Sequence, residues 1–469
     1  MIKEDYKIPV HLSQLISSEQ AYQYGIIPVE ENEYGFTFRS NNISNSLKQE
    51  LEIVLGKSIT LVAESEENIK QFLASNFRRR EQVNSEAFQY SSDFLEKLLA
   101  TAKHIGSSDI HFEIYEEKCR VRLRLDGKLK EYFIIEKDQY PIIVNKLKIK
   151  AGLDISEKRL PQDGRISIKT ELEEFDIRVS SLPTLHGEKI VLRILSKDAD
   201  HIELNELGFT VKELKSYLET IKKPNGIVLI SGPTGSGKTT TLYATLKLLN
   251  DDKTNILTIE DPIEYTLEGI NQVQLKENIG LDFSSTLRTF LRQDPDIIMV
   301  GEIRDAKTAN MAIRAALTGH LVLSTIHTNS AWATISRLID MGIPAFLIAS
   351  TLNVSIAQRL VRQLCSNCKT ERPAEISDFP EQFTIPKELA TLYEAVGCDA
   401  CYFTGYQGRK AVYEIISIKK ALVEHIKNNH LEIDNYLKEN EIITLKANAI
   451  QLLRDGVTSI EEVYPLLIE

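Results

Sequence analysis

Along the chain the spacing of apolar and polar positions changes character three times. Residues 1 to about 75 contain a short amphipathic stretch (HLSQLISSEQAYQYG), a strand-like IIPVEE, a hairpin pattern with YGFTF and a second helix-like stretch from Ser44 to Leu55. The polar segment NFRRREQVNSEA then breaks the periodicity, as an interdomain linker does. From Ser91 a helical stretch, SSDFLEKLLATAKHIG, leads into strict alternation in DIHFEIY, CRVRLRLDG, GRISIKT, EFDIRVSSL and KIVLRIL. That pattern predicts a small α+β domain with an antiparallel sheet. Beyond a polar connector after Lys197, helical stretches alternate with the apolar runs GIVLISG, NILTIED, PDIIMVGE and HLVLSTIH, which predicts a parallel sheet flanked by helices. The end of the chain reads as a small helical tail. The domains expected are therefore 1–76, a linker over 77–90, 91–198, and 204–469.

Composition narrows the field. A chain of 469 residues with 42% hydrophobic and 26% charged positions has ample core for several domains and excludes bulk disorder. The formal charge is −11 and the pI about 5.5, so the whole chain lacks the positive field of a nucleic-acid binder. Arg120, Arg122 and Arg124 share one face of CRVRLRLDG; we read them as a solvated outer face. The charged N-terminus lacks a signal-peptide core and no apolar run is long enough to span a bilayer, which suggests a cytoplasmic protein.

The strongest chemical signal is Gly232-Pro233-Thr234-Gly235-Ser236-Gly237-Lys238-Thr239, a full GxxxxGK[ST] match between a strand and an amphipathic helix. Its glycines let backbone N–H groups turn inward on phosphate oxygens, and the helix N-terminus adds partial positive charge. Lys238 would reach the β and γ phosphates of ATP and the Thr239 hydroxyl would ligate Mg²⁺, with Thr240 counted among the nucleotide-binding residues. PDIIMVGE ends a strand with Glu302, the candidate to polarise an attacking water. Because Gly301 stands where many such ATPases have an Asp, metal support is expected from Glu260, Asp261 and Glu264 in TIEDPIE. His320 and His327 bracket LVLSTI, seven positions apart, so both need not face one site; one of them is the candidate phosphate sensor.

Four of the five cysteines form Cys365-x2-Cys368 and Cys398-x2-Cys401, separated by 29 residues. The spacing suits a closed four-thiolate Zn²⁺ site of structural kind over 365–401. Cys119 stands alone, mid-strand, as a small core residue.

Taken together, GPTGSGKTTTLY, ILTIEDPIE, RQDPDIIMVGEIRD, TGHLVLSTIHTN, SSDIHFE, EKRLPQDGRIS and DIRVSSLPTLHGEKIVLRIL resemble the secretion ATPases of the type II secretion and type IV pilus assembly superfamily, the GspE/PilB-like group, over roughly residues 85–469. The resemblance implies a RecA-like P-loop core preceded by an α+β, PAS-like domain and a small N-terminal α+β domain, with a zinc-knuckle insertion. It implies a homo-hexameric, Mg-dependent ATP hydrolase at the inner face of the cell membrane that powers assembly of pilins or pseudopilins. By motif position Arg178 and Arg193 are the arginines that such enzymes bring to the nucleotide phosphates; Arg165 is a weaker candidate. A tetracysteine insertion is typical of the assembly members rather than the retraction members. Residues 1–75 are similar, more weakly, to the domain that docks on an inner-membrane partner, and no cyclic-dinucleotide module is expected. Two other readings remain: a DNA-translocating or helicase-like hexameric motor, and a scaffold that binds ATP without hydrolysing it. The choice among type II secretion, pilus extension and competence systems stays open.

Overall fold

The computed structural model describes residues 12, 15–16, 18–32, 35–76, 94–169, 174–195, 203–430 and 432–468. The expected linker over 77–90 and the connector after Lys197 lie largely or wholly outside the described residues. The chain divides into two compact units: residues 1–194 with 364–372 and 393–407, and residues 195–363 with 373–392 and 408–469. The cysteine pairs thus pack with the first unit, whereas the sequence reading put them in the ATPase domain. The insertion is split: 364–372 and 393–407, which carry the cysteines, pack with the first unit, while 373–392 belongs to the second, where Phe379, Leu389 and Leu392 enter the core.

The first unit holds two sheets. In the smaller, β1 (Ile26–Asn32) pairs antiparallel with β2 (Gly35–Ser40), and β2 pairs parallel with β3 (Ser58–Ala63). The crossover is the helix Asn45–Leu55, started by Ser44 accepting from the Leu47 N–H and ended by Gly56 at φ 65°, a conformation cheap only for glycine.

The larger sheet has the order β6-β5-β4-β9-β8-β7, built from β4 (Asp109–Ile114), β5 (Cys119–Leu125), β6 (Lys128–Ile135), β7 (Gln162–Lys169), β8 (Glu174–Thr184) and β9 (Gly187–Leu195). One face is apolar. Ile110, Phe112, Val121, Leu123, Ile190 and Leu192 pack on the helices Phe94–His104 and Tyr140–Lys150, with Cys119 buried among them. β6 and the second helix were not singled out from the pattern, because neither carries a clean period: β6 is mostly half-buried, and a register shift at Val121/Arg122 interrupts its pairing with β5.

The opposite face is charged. Glu113, 3% exposed, receives Arg120, Arg122 and Lys189 at 2.9, 2.7 and 3.0 Å. Burial pushes the Glu113 carboxyl up, but these three cations outweigh it and hold the group down at about 2. Arg124 pairs with Asp109 at 3.1 Å. The arginine stripe of β5 is therefore tied into an acid ledge on β4.

The second unit is a seven-stranded sheet in the order β12-β11-β13-β14-β10-β15-β18. Its strands are β10 (Gly226–Ser231), β11 (Ile256–Glu260), β12 (Asn271–Gln274), β13 (Ile297–Val300), β14 (Leu321–Ile326), β15 (Leu352–Leu364) and, after the short pair β16 (Thr370–Pro373) and β17 (Thr391–Glu394), β18 (Tyr406–Ser417). From β12 through β15 in this order every pairing is parallel. Both faces are covered: along β10, Ile227 and Leu229 enter one core while Val228 and Ile230 enter the other. Burial on both sides is why these strands read as unbroken apolar runs.

Because Glu113 is depressed in the fold, its contribution to stability is present above the free-carboxyl value of 4.5 and is lost as pH falls through about 2. In urea denaturation, Glu113→Gln should be less stable than wild type near neutral pH by about 3 kcal/mol, and the gap should shrink as pH falls from 4.5 toward 2. A gap that is independent of pH would show that the carboxylate charge is not what matters.

Candidate active site

The loop after β10 turns at Gly232, with φ 149°. A Cβ there would lie 2.4 Å from the Gln358 carbonyl oxygen, so only glycine lets the loop close on β15. Gly237, at φ 84°, precedes the helix Lys238–Leu249 and offers no side-chain cap, which leaves the first N–H groups of that helix without a side-chain acceptor. Ser236 Oγ is buried without a partner. Unsatisfied donors at a helix N-terminus, inside a glycine loop, are the chemistry that a phosphate group satisfies. Thr239 is exposed and Thr240 half-buried at the start of the same helix.

Lys238 is buried, with Nζ donating to the carbonyl oxygens of Gly232 and Pro233, both at 2.9 Å. Burial lowers its affinity for a proton; Glu302 opposes the shift and Arg359 reinforces it. Gln358 holds the loop from below: its Nε2 donates to the Ser236 carbonyl at 2.9 Å and its Oε1 accepts from Thr241 Oγ1 at 2.9 Å. Arg359, also buried, donates to the Asn329 carbonyl at 2.6 Å. A cavity of about 440 Å³ opens at this edge, lined by Gly232, Pro233, His327, Arg359 and Glu462 among others.

The neighbouring strands deliver their ends to the same edge. Glu302 follows β13, with Oε2 3.4 Å from His327 Nε2 and Oε1 ion-paired to Arg304. Arg304 also lies 3.8 Å from Asp261, so Asp261, Glu302 and His327 form one cluster through a residue that the sequence reading did not single out. Gly301 has a packing reason: a Cβ there would lie 3.3 Å from the Ile259 carbonyl oxygen on β11.

Glu260 sits apart. It is buried, its Oε1 accepting from Thr258 and Gln272 at 2.5 and 3.1 Å and its Oε2 from the Tyr243 hydroxyl. Burial raises its proton affinity against those hydrogen bonds. The expectation grouped Glu260 with Asp261 and Glu264 as metal support; both Glu260 oxygens are engaged by protein donors, while Glu264 is half-buried nearby, its N–H donating to the same Tyr243 hydroxyl at 3.3 Å. His320 precedes β14, whose Leu321 pairs with Gly226 at the start of β10. Its Nδ1 contacts the Ala315 carbonyl at 2.8 Å. The structure thus brings His327 to the cradle and leaves His320 at the other edge of the sheet.

Arg178 and Arg193 belong to the first unit. Arg178 is on β8 opposite Arg165 of β7, and Arg165 pairs with Asp176. Arg193, half exposed, donates from Nε to Asp109 Oδ1 at 3.0 Å.

The four sulfurs of Cys365, Cys368, Cys398 and Cys401 lie within 4.8 Å of one another, three of the separations being 3.8 Å. A tetrahedron of Zn–S bonds has an edge of about 3.8 Å. The N–H groups of Gly397, Cys398 and Gly405 point at sulfur, at 3.2–3.3 Å, as they would to support thiolate charge. Donor set and spacing therefore fit Zn²⁺.

Gln358 and Arg359 were missed because the run AQRL carries no motif; only the fold lays β15 beside the loop. Gln358→Ala, which removes the bonds to the Ser236 carbonyl and the Thr241 hydroxyl, should weaken ATP binding about tenfold in nucleotide titrations. Unchanged affinity would remove Gln358 from the cradle.

The family model described as "Type II/IV secretion system protein" matches residues 84–465. The chain is 46% identical over 369 residues to "Type II secretion system protein E" of Pseudomonas aeruginosa, covering 78% of this chain and 73% of that protein. It is 40% identical to "Type IV pilus assembly ATPase PilB" of Myxococcus xanthus, covering 98% and 87%. Among solved structures, the pilus retraction motor PilT with bound ADP aligns at TM-score 0.54 and 26% identity over 79% of this chain and 95% of that one. The Legionella pneumophila ATPase DotB aligns at TM-score 0.61 and 21% identity over 81% and 96%, a likeness of fold. The cradle and the carboxylate beside it thus belong to an ATP-hydrolysing enzyme, and the chain is a member of the type II/IV secretion system protein family, whose ATPases power secretion or pilus assembly.

Proposed function

We propose that the protein is a hexameric, Mg-dependent ATPase that drives assembly of pilins or pseudopilins. The observation that carries the reading is the meeting of the phosphate cradle, Glu302 and His327 at one sheet edge, with Glu302 3.4 Å from His327. In this reading Lys238 leaves the Gly232 and Pro233 carbonyls for the β and γ phosphates. Glu302 takes the proton of the attacking water, and Arg304 and His327 hold its two oxygens in place. Thr239, with Asp261 and Glu264 nearby, would hold Mg²⁺, which when bound neutralises charge on the phosphates. Arg178 and Arg193 would reach the nucleotide when the α+β domain closes, and His327 would report the γ phosphate.

The cysteine cluster supports assembly over retraction, as does the match to proteins named for type II secretion and pilus assembly. Residues 1–76 are the proposed dock for cytoplasmic parts of an inner-membrane platform. Among the described residues no helix is long and apolar enough to cross a membrane. Against a nucleic-acid motor, Arg120, Arg122 and Arg124 are already engaged by carboxylates.

Two measurements test this. In an oligomeric sample, Glu302→Gln should bind ATP normally yet lower kcat at least about 100-fold; equal rates would remove Glu302 from the chemistry, and no turnover in either protein would favour a scaffold. Metal analysis should find one zinc per chain, and Cys398→Ser or strong chelators should release it and open the 365–401 segment to protease. A zinc-free chain that resists protease would overturn the structural role.

A further inference from the structure

On the polar face of the larger sheet in the first unit, several cations share a few acids. Glu113 already receives three, and Asp109 receives two. Asp109, with a side chain only 7% exposed, lies in register opposite Arg124 on β5 and opposite Arg193 on β9. Its oxygens divide the work. Oδ2 accepts from Arg124 at 3.1 Å and from Ser108 Oγ at 2.9 Å, while Oδ1 accepts from Arg193 Nε at 3.0 Å. Arg124 is held a second time, through the Gly127 carbonyl at 2.9 Å, so a buried Asp109 would have a charge partner without Arg193.

An arginine side chain that is 57% exposed would ordinarily sample many rotamers. Gripping it at Nε by a buried carboxylate fixes the plane of the guanidinium and its direction off the sheet, while leaving the side chain more than half in solvent. We infer that Asp109 is a positioning residue for ATP hydrolysis, one that fixes the plane in which the Arg193 fork is offered to a phosphate. The inference rests on the reading of Arg193 as a phosphate-contacting arginine. The ligand class is the polyphosphate of a nucleoside triphosphate, and the gain comes from orientation already in place when the phosphate arrives.

The test is a double-mutant cycle on the full-length oligomer, reading kcat and KM for ATP separately. Arg193→Ala should lower kcat by about 1,000-fold. Asp109→Asn should lower kcat by about tenfold with KM for ATP little changed, read at a temperature where the variant is fully folded. In Asp109→Asn/Arg193→Ala the loss should be no greater than in Arg193→Ala alone, because an aiming residue has nothing left to aim. If Arg193→Ala turns over like wild type, the arginine reading itself fails. If Arg193→Ala is impaired but Asp109→Asn is not, Asp109 does not position it. If the two losses multiply, Asp109 acts on the fold rather than through Arg193, and the inference is overturned.

Discussion

A parallel strand can present only one of its ends to a given edge of its sheet, and the whole active site depends on that constraint. β10, β11, β13, β14 and β15 run side by side in one direction, so the residues just past their C-terminal ends gather at one edge. The cradle follows β10, Asp261 follows β11, Glu302 follows β13 and His327 follows β14. Antiparallel pairing at any of these positions would carry the corresponding group to the far side, about six residues of extended chain away.

Close approach then refines what direction begins. β15 comes near enough to the loop that Gly232 tolerates no Cβ, and Gln358 bonds to the loop and to the following helix. β11 comes near enough to β13 that Gly301 has little room for one either. Two of the buried charges in this unit, Lys238 and Glu260, are handled differently. Lys238 is held by backbone carbonyls that a phosphate can replace, whereas Glu260 already accepts from three protein donors, two on one oxygen and one on the other.

The first unit uses acids in a different way. Its sheet face is a set of cations seated on two buried carboxylates, so the stripe read in sequence as a solvated outer face is a half-buried ion-pair network. The cysteines pack with this unit although their sequence neighbours lie in the other. Two pairs brought within one sulfur tetrahedron give the two cysteine-bearing segments a cross-link.

Much of this was written in the chain itself. The glycine loop with its lysine, the cysteine spacing and the apolar runs are local patterns, and local backbone physics makes them legible: a period of two, a period of 3.6, a glycine where φ must be positive. The spacing of His320 and His327 already implied that both need not serve one site. What no spacing could decide was which one did, that Arg304 would join Asp261 to Glu302, that Gln358 would hold the loop, or that Asp109 would hold Arg193. Each of those depends on which strands lie side by side, and strand order is set by burial summed over the whole sheet rather than by any residue and its neighbours in sequence.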